Sequence, residues 1–146
     1  MPRADFKCAH RLRVRWAEVD MQKVVFNGHY LTYIDTAVAE YWRAIGLAYP
    51  EGYVERYASD LFLRKATLEY LGSARYDEAL EVLCRVAKLG NSSMTFQFEI
   101  VRAGEDAPLV SAELVYVNAD QKTMKAAPLP DEVRGRISDY ERADRA

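Results

Sequence analysis

Hydrophobic residues along this chain follow two periods. Over residues 11–16, Leu12, Val14 and Trp16 alternate with three arginines, which predicts a half-buried β-strand. From residue 31 the period lengthens. Leu31, Ile34, Val38, Tyr41 and Ile45 recur at steps of three and four, the stripe of a helix with one buried face, and Gly46 is well placed to end it. Residues 47–60, with Pro50 and Gly52, read as a loop. Alternation then returns in Ala66-Leu68-Tyr70, Leu80-Val82-Cys84-Val86, Met94-Phe96-Phe98-Ile100 and Ala112-Leu114-Tyr116. Turn signals separate these runs at Gly72-Ser73, Gly90-Asn91-Ser92 and Ala103–Asp106. Such short links favour antiparallel neighbours, because a parallel return needs a long crossover. The expected architecture is α+β: a long central helix wrapped by a curved antiparallel sheet of about five strands. In the charged tail, 128–146, Val133, Ile137 and Tyr140 keep helical spacing, which fits either a short terminal helix or a frayed end.

Composition narrows the class. With 146 residues the chain suits one domain, 1–146, with a real core. Half of it is hydrophobic and 29% is charged, a globular balance. A net charge of −2, with the signs interspersed, gives no broad reason to expect nucleic acid or an anionic membrane. No apolar run approaches the ~20 residues of a membrane span, and the opening MPRADFKCAH lacks the apolar segment of a secretory signal. Cys8 and Cys84 read as reduced thiols of a cytoplasmic protein. Nothing pairs His10 with cysteines or acids at metal spacing, so no zinc site is expected. Cys84 lies on an inward strand face and makes a poor nucleophile, and there is no Gly-rich phosphate loop.

The candidate chemistry sits in EVDMQKVVFNGHY, residues 18–30, at the mouth of the long helix. Asp20 is followed by the apolar patch Val24-Val25-Phe26. If that patch folds over it, the carboxylate loses water and its pKa rises toward the useful range of a general base. Otherwise Asp20 is a solvated loop residue. Asn27 is a favoured N-cap, and Gly28 permits close backbone approach. The N–H groups of a first helical turn have no partner within the helix, and with the positive end of the dipole they suit a developing negative oxygen. An oxyanion hole of backbone amides at Asn27 and Gly28 is the functional reading, and a plain capped helix is the other. His29 can donate or accept near neutral pH; Tyr30 is by residue type more often core.

The stretch RVRWAEVDMQKVVFNGHYLTYIDTAVAEYWRAIGL resembles the opening of the 4-hydroxybenzoyl-CoA thioesterase family of hotdog-fold proteins, and YLGSARYDEALEVLCRVAKLGNSSMTFQFEIVR resembles its second half. The two together span about residues 10–118. The resemblance implies a hotdog fold, dimers or tetramers with active sites at subunit interfaces, and hydrolysis of acyl-CoA thioesters without metal or organic cofactor. It carries the catalytic aspartate onto Asp20, as nucleophile or general base, and the carbonyl-polarising amide onto Asn27 or its neighbour Gly28. Phe26, His29 and Tyr30 would contact substrate, as would Ser92 and Ser93 at the Gly-x-Ser-Ser turn. Phe26, Tyr30, Tyr33 and Tyr57 suggest an aromatic lining. The signature Asn27-Gly28-His29 departs from the family's habit of His or Tyr at the first position and Asn at the third. Met21-Gln22-Lys23 is bulkier than the small residues usual after the aspartate. Two other readings follow from the same residues: a non-catalytic acyl-thioester binder, and an enoyl-CoA hydratase using Asp20 with His29.

Overall fold

The computed structural model describes residues 2–142. Strand β1 (Cys8–Arg13) leads through a 3-10 turn (Trp16–Glu18) and a tight loop into helix α1 (His29–Ala44). Strands β2 (Ser59–Tyr70), β3 (Ala79–Leu89), β4 (Ser93–Arg102) and β5 (Pro108–Asp120) follow, and helix α2 (Asp131–Arg142) closes the described chain. The strands form one sheet in the order β1-β3-β4-β5-β2, with every neighbouring pair antiparallel. This is the expected central helix on a curved sheet.

The two periodicities meet in the core. Helix α1 buries Tyr30, Tyr33, Ile34, Ala37, Val38, Tyr41 and Trp42. The facing strands bury Leu80, Val82, Cys84 and Val86 from β3, and Met94, Phe96, Phe98 and Ile100 from β4, none more than 5% exposed. Each large side chain so buried contributes about 1.5–3 kcal/mol. Helix α1 stops where Gly46 takes a left-handed φ of 74°. Arg136 on α2 donates to the carbonyls of Ile45 and Gly46 there, at 3.2 and 3.1 Å. The tail is a true helix to Arg142, because Val133 and Ile137 reach the core and leave the charged face to solvent. Residues 143–146 of the tail lie outside the described residues.

Three expectations need correction. Trp16 does not share the buried face of Val14: it is 83% exposed, because the chain leaves the sheet at Arg13 and turns outward. Strand β2 begins at Ser59, well before the Ala66-Leu68-Tyr70 alternation, since a bulge between Leu63 and Lys65 breaks its period. The 47–60 segment holds a helical turn (Glu51–Glu55) that buries Tyr53.

Candidate active site

The loop that carries Asp20 is a small ladder. Phe26 N–H donates to Glu18 C=O at 3.0 Å, Val19 bridges Val25, and Asp20 N–H donates to Val24 C=O at 3.1 Å. The turn at its tip is closed by Lys23 N–H to Asp20 C=O (3.0 Å) and by Gln22 N–H to Asp20 Oδ1 (2.8 Å). Lys23 holds a φ of 67°, a left-handed conformation that small residues adopt more easily. The ladder sets Asp20 and Asn27 on one rigid device at the helix mouth. The apolar patch does not fold over Asp20. Val25 points into the core, its N–H bonded to Ala74 C=O at 2.9 Å, while Phe26 stays 48% exposed. Asp20 is half-buried.

The pin of the ladder is Glu18, which the sequence reading passed over. Its side chain is 8% exposed. Oε1 accepts from Arg15 N–H (2.7 Å) and from the Tyr33 hydroxyl (2.9 Å); Oε2 accepts from the Arg15 guanidinium (3.1 and 3.0 Å). Burial works against the charge. The Arg15 N–H, the Tyr33 hydroxyl and the Arg15 guanidinium outweigh it and hold the carboxyl below its ordinary pKa. Burial and the same contact raise the Tyr33 hydroxyl. The signal available in sequence was an acid three residues after Arg15, the spacing of a capping box.

At the helix mouth the N-cap is Gly28, not Asn27. Its φ and ψ of −67° and −23° are already helical, and no side chain caps the first turn. Gly28 serves here through space, not unusual dihedrals: a Cβ would meet Phe26 Cε2 at 3.0 Å. His29 N–H is taken by Phe26 C=O. The N–H groups of Asn27 and Gly28 meet no acceptor among the described residues. The Tyr70 hydroxyl donates to Asn27 C=O at 3.3 Å. A trans peptide points its C=O and N–H in opposite directions, so this contact turns the Gly28 N–H away from Tyr70. The first turn holds no acidic residue to neutralise the positive end of the dipole.

The remaining predicted residues scatter. His29 stands edge-on to Phe26, ring centroids 5.8 Å apart. No hydrogen bond among the described residues joins it to Asp20. Tyr30 is 2% exposed and its hydroxyl accepts from Ala74 N–H at 3.0 Å, so it ties α1 to the β2–β3 connection. Tyr33 is spent on Glu18, and Tyr57 donates to Glu132 at the start of α2. Ser92 lies in the β3–β4 turn and Ser93 opens β4, and their carbonyls accept from Asn118 and Gly90 N–H, each at 2.7 Å. That turn is at the end of β3 opposite Asp20, whose loop packs beside the Ala74–Ala79 end, so one protomer does not bring the serines and Asp20 together.

A groove runs from the helix mouth along one face of α1. Its first hollow, about 330 Å³, is bounded by Gly28, Leu31, Asp35, Leu63, Leu114 and Tyr116. Its second, about 230 Å³, continues past Val38, Trp42, Tyr49 and Leu61 and shares Asp35 and Tyr116 with the first. Tyr49 comes from the 47–60 segment.

Comparison with known proteins adds the family. A family model described as thioesterase-like superfamily matches residues 14–137. The acyl-CoA thioester hydrolase YbgC of Escherichia coli O6:H1 is 30% identical over 122 residues, covering 84% of this chain and 89% of its own. A putative esterase of Aquifex aeolicus is 27% identical over 124 residues, 85% of this chain and 92% of its own. The solved structure of Slr0204, a 1,4-dihydroxy-2-naphthoyl-CoA thioesterase from Synechocystis, superposes with a TM-score of 0.82 over 90% of this chain and 96% of its own, at 20% identity. That likeness speaks for the hotdog fold.

Proposed function

Because the chain belongs to the thioesterase-like superfamily, we propose that it hydrolyses an acyl-CoA thioester to the free acid and CoA, with Asp20 as the reacting carboxylate. The observation that carries this reading is the helix mouth: two backbone N–H groups without acceptors, at an uncapped helix start, on the same ladder as a carboxylate. The thioester oxygen takes the Asn27 or Gly28 N–H, and its developing charge is met by the dipole of α1. Asp20 either attacks the carbonyl carbon, forming an anhydride that water opens, or takes a proton from the attacking water. CoA thiolate leaves in both courses. Asp20 Oδ1 is engaged by Gln22 N–H, so Oδ2 is the oxygen left for either task. Support for the activity comes from the YbgC relative, an acyl-CoA thioester hydrolase by name; the assignment of Asp20 rests on the resemblance to the 4-hydroxybenzoyl-CoA thioesterase family. The two buried free thiols suit a cytoplasmic protein. Among the described residues no helix is long and apolar enough to cross a membrane. The test is release of CoA thiol from a panel of acyl-CoAs by the purified protein. Saturable binding without release at any acyl length would favour the binder instead.

The working form in this reading is a homodimer, alone or within a tetramer. Strand β2 lies at the sheet's edge, twelve residues long, with Phe62 and Leu63 exposed at 38% and 45%. Such an edge invites pairing. A two-fold axis there would run the partner's β2 antiparallel and turn the partner's Ser92–Ser93 end toward this protomer's Asp20 end. Sedimentation at micromolar concentration is expected to give a dimer or tetramer; a monomer would remove the interface site.

A further inference from the structure

Strand β2 ends at Tyr70, whose hydroxyl is the one group among the described residues that donates to Asn27 C=O, at 3.3 Å. The two peptides flanking Asn27–Gly28 bond each other, His29 N–H donating to Phe26 C=O at 3.0 Å. The peptide between them has only Tyr70. Gly28 sits at a φ of −67°. A flip of that peptide would carry it to positive φ, which glycine adopts freely. The tyrosine that opposes the flip is itself fixed. Its ring stands edge-on to Tyr30, centroids 5.9 Å apart, and Tyr30 stands edge-on to Tyr33 at 6.0 Å. Ala74 N–H holds the Tyr30 hydroxyl, and Glu18 holds that of Tyr33. Just beyond Tyr70, the N–H groups of Leu71 and Gly72 both donate to Leu109 C=O, at 2.8 and 3.0 Å. The hydroxyl is therefore presented from an anchored ring and backbone, although the residue is 53% exposed.

We propose that Tyr70 is a positioning residue of this site: its hydroxyl holds the Asn27–Gly28 peptide so that the Gly28 N–H faces the hollow at the helix mouth as a donor to the thioester oxygen. This rests on the thioesterase reading above and names the side chain that aims its oxyanion amide. Gly28 borders that hollow. A trans peptide sets its C=O and N–H on opposite sides, so holding the carbonyl also holds the amide. A hydrogen bond accepted at the carbonyl polarises the same peptide and makes its N–H a stronger donor. Tyr70 touches neither substrate nor Asp20; it acts through one peptide group. The bond from that peptide strengthens as charge develops on the oxygen, so kcat carries the effect and KM does not.

The experiment sets Tyr70→Phe against the unaltered full chain. Phe keeps the ring against Tyr30 and removes only the hydroxyl. With the best acyl-CoA of the panel, kcat for thiol release is expected to fall about ten- to hundredfold. That is less than the loss of about 10²–10³ for a deleted oxyanion donor, because the amide is loosened and not removed. KM is expected to stay within about twofold, and the melting temperature within about 2 °C, as for an exposed site. A second readout needs no substrate. Asn27–Gly28 is the one Asn-Gly step in the chain, so protein made with carbonyl-¹³C asparagine and ¹⁵N glycine gives a single coupled amide signal. Loss of the hydroxyl is expected to move its carbonyl carbon upfield. An unchanged kcat in Tyr70→Phe overturns the inference and leaves the thioesterase reading standing. So does a fall in kcat with the carbonyl signal unmoved, which would make Tyr70 a contact of the substrate itself. So does a fall in kcat matched by a lower melting temperature, the mark of a structural role. No thiol release by the unaltered protein from any acyl-CoA of the panel overturns the reading itself, and the inference with it.

Discussion

Asp20→Asn is expected to lose at least ~10²-fold in turnover, the lower range for a positioned acid–base group, while its melting temperature holds. The amide keeps the size of the carboxylate and still offers Oδ1 to Gln22 N–H, so the turn that now closes at 2.8 Å has no reason to open. What disappears is the negative charge and the capacity to take a proton or form an anhydride. Affinity for acyl-CoA should hold or improve slightly, because the substrate is anionic and one nearby negative charge is gone. Three measurements on one preparation separate the accounts. Lost turnover with retained binding and melting marks a reacting group. No change in any of the three marks a solvated loop residue. Retained turnover with a lower melting temperature marks Asp20 as a structural acceptor for the loop. Full activity in this variant would end the mechanism proposed for it. Between the two chemical roles, a single turnover in ¹⁸O-water discriminates through Asp20 itself: label in Asp20 marks an anhydride opened at the protein carboxyl, whereas activated water, like an anhydride opened at the acyl carbon, labels the product acid.

Much of the scaffold around Asp20 is legible because each element advertises its own period. Met94, Phe96, Phe98 and Ile100 alternate without a fault and are all buried to within 1%. The stripe on α1 is equally plain, and its one half-buried member, Leu31, turns out to line the groove. Reading fails where a single hydrogen bond or bulge overrides a period. Trp16 continues the alternation of Leu12 and Val14, yet the Glu18 carboxylate draws the Arg15 N–H back and turns the chain out of the sheet. The first half of β2 hides because the bulge at Leu63/Lys65 shifts its faces by one residue. At the site the split is the same. Asp20 and the Asn27-Gly28 break are neighbours in sequence and could be paired by eye. Glu18 meets Tyr33 across fifteen positions, a pairing that no local pattern announces, and Asp35 and Tyr116 border one hollow from distant parts of the chain.

Glu18→Ala is expected to be the most damaging single change to the folded loop. It removes the acceptor of a buried Tyr33 hydroxyl and of the Arg15 N–H, contacts of 2.9 and 2.7 Å. Leaving the buried Tyr33 hydroxyl unpaired costs about 1–3 kcal/mol, and the Arg15 N–H, on an exposed residue that water reaches, about 1 kcal/mol. The guanidinium contact adds little, since the Arg15 side chain is 77% exposed and screened by water. A total of roughly 2–4 kcal/mol lowers the melting temperature by roughly 5–15 °C in a chain of this size. Tyr33→Phe in the same background should restore part of the loss, because it deletes the orphaned hydroxyl, and this non-additivity identifies the contact. Glu18→Gln gives a separate check through pH. The folded protein holds the Glu18 carboxyl below its ordinary pKa, so its stabilisation is complete above the unfolded value of about 4.3. It drains away as the pH falls through the lower folded value. The gap in melting temperature between the native chain and Glu18→Gln should therefore be widest near neutrality and narrow below about pH 4. A gap unchanged between pH 7 and pH 3 would mean that the ionised carboxylate does not hold the ladder. Because Asp20 and Asn27 ride on that ladder, Glu18→Ala should also lose turnover at temperatures where it remains folded, with no change in the chemistry of either group.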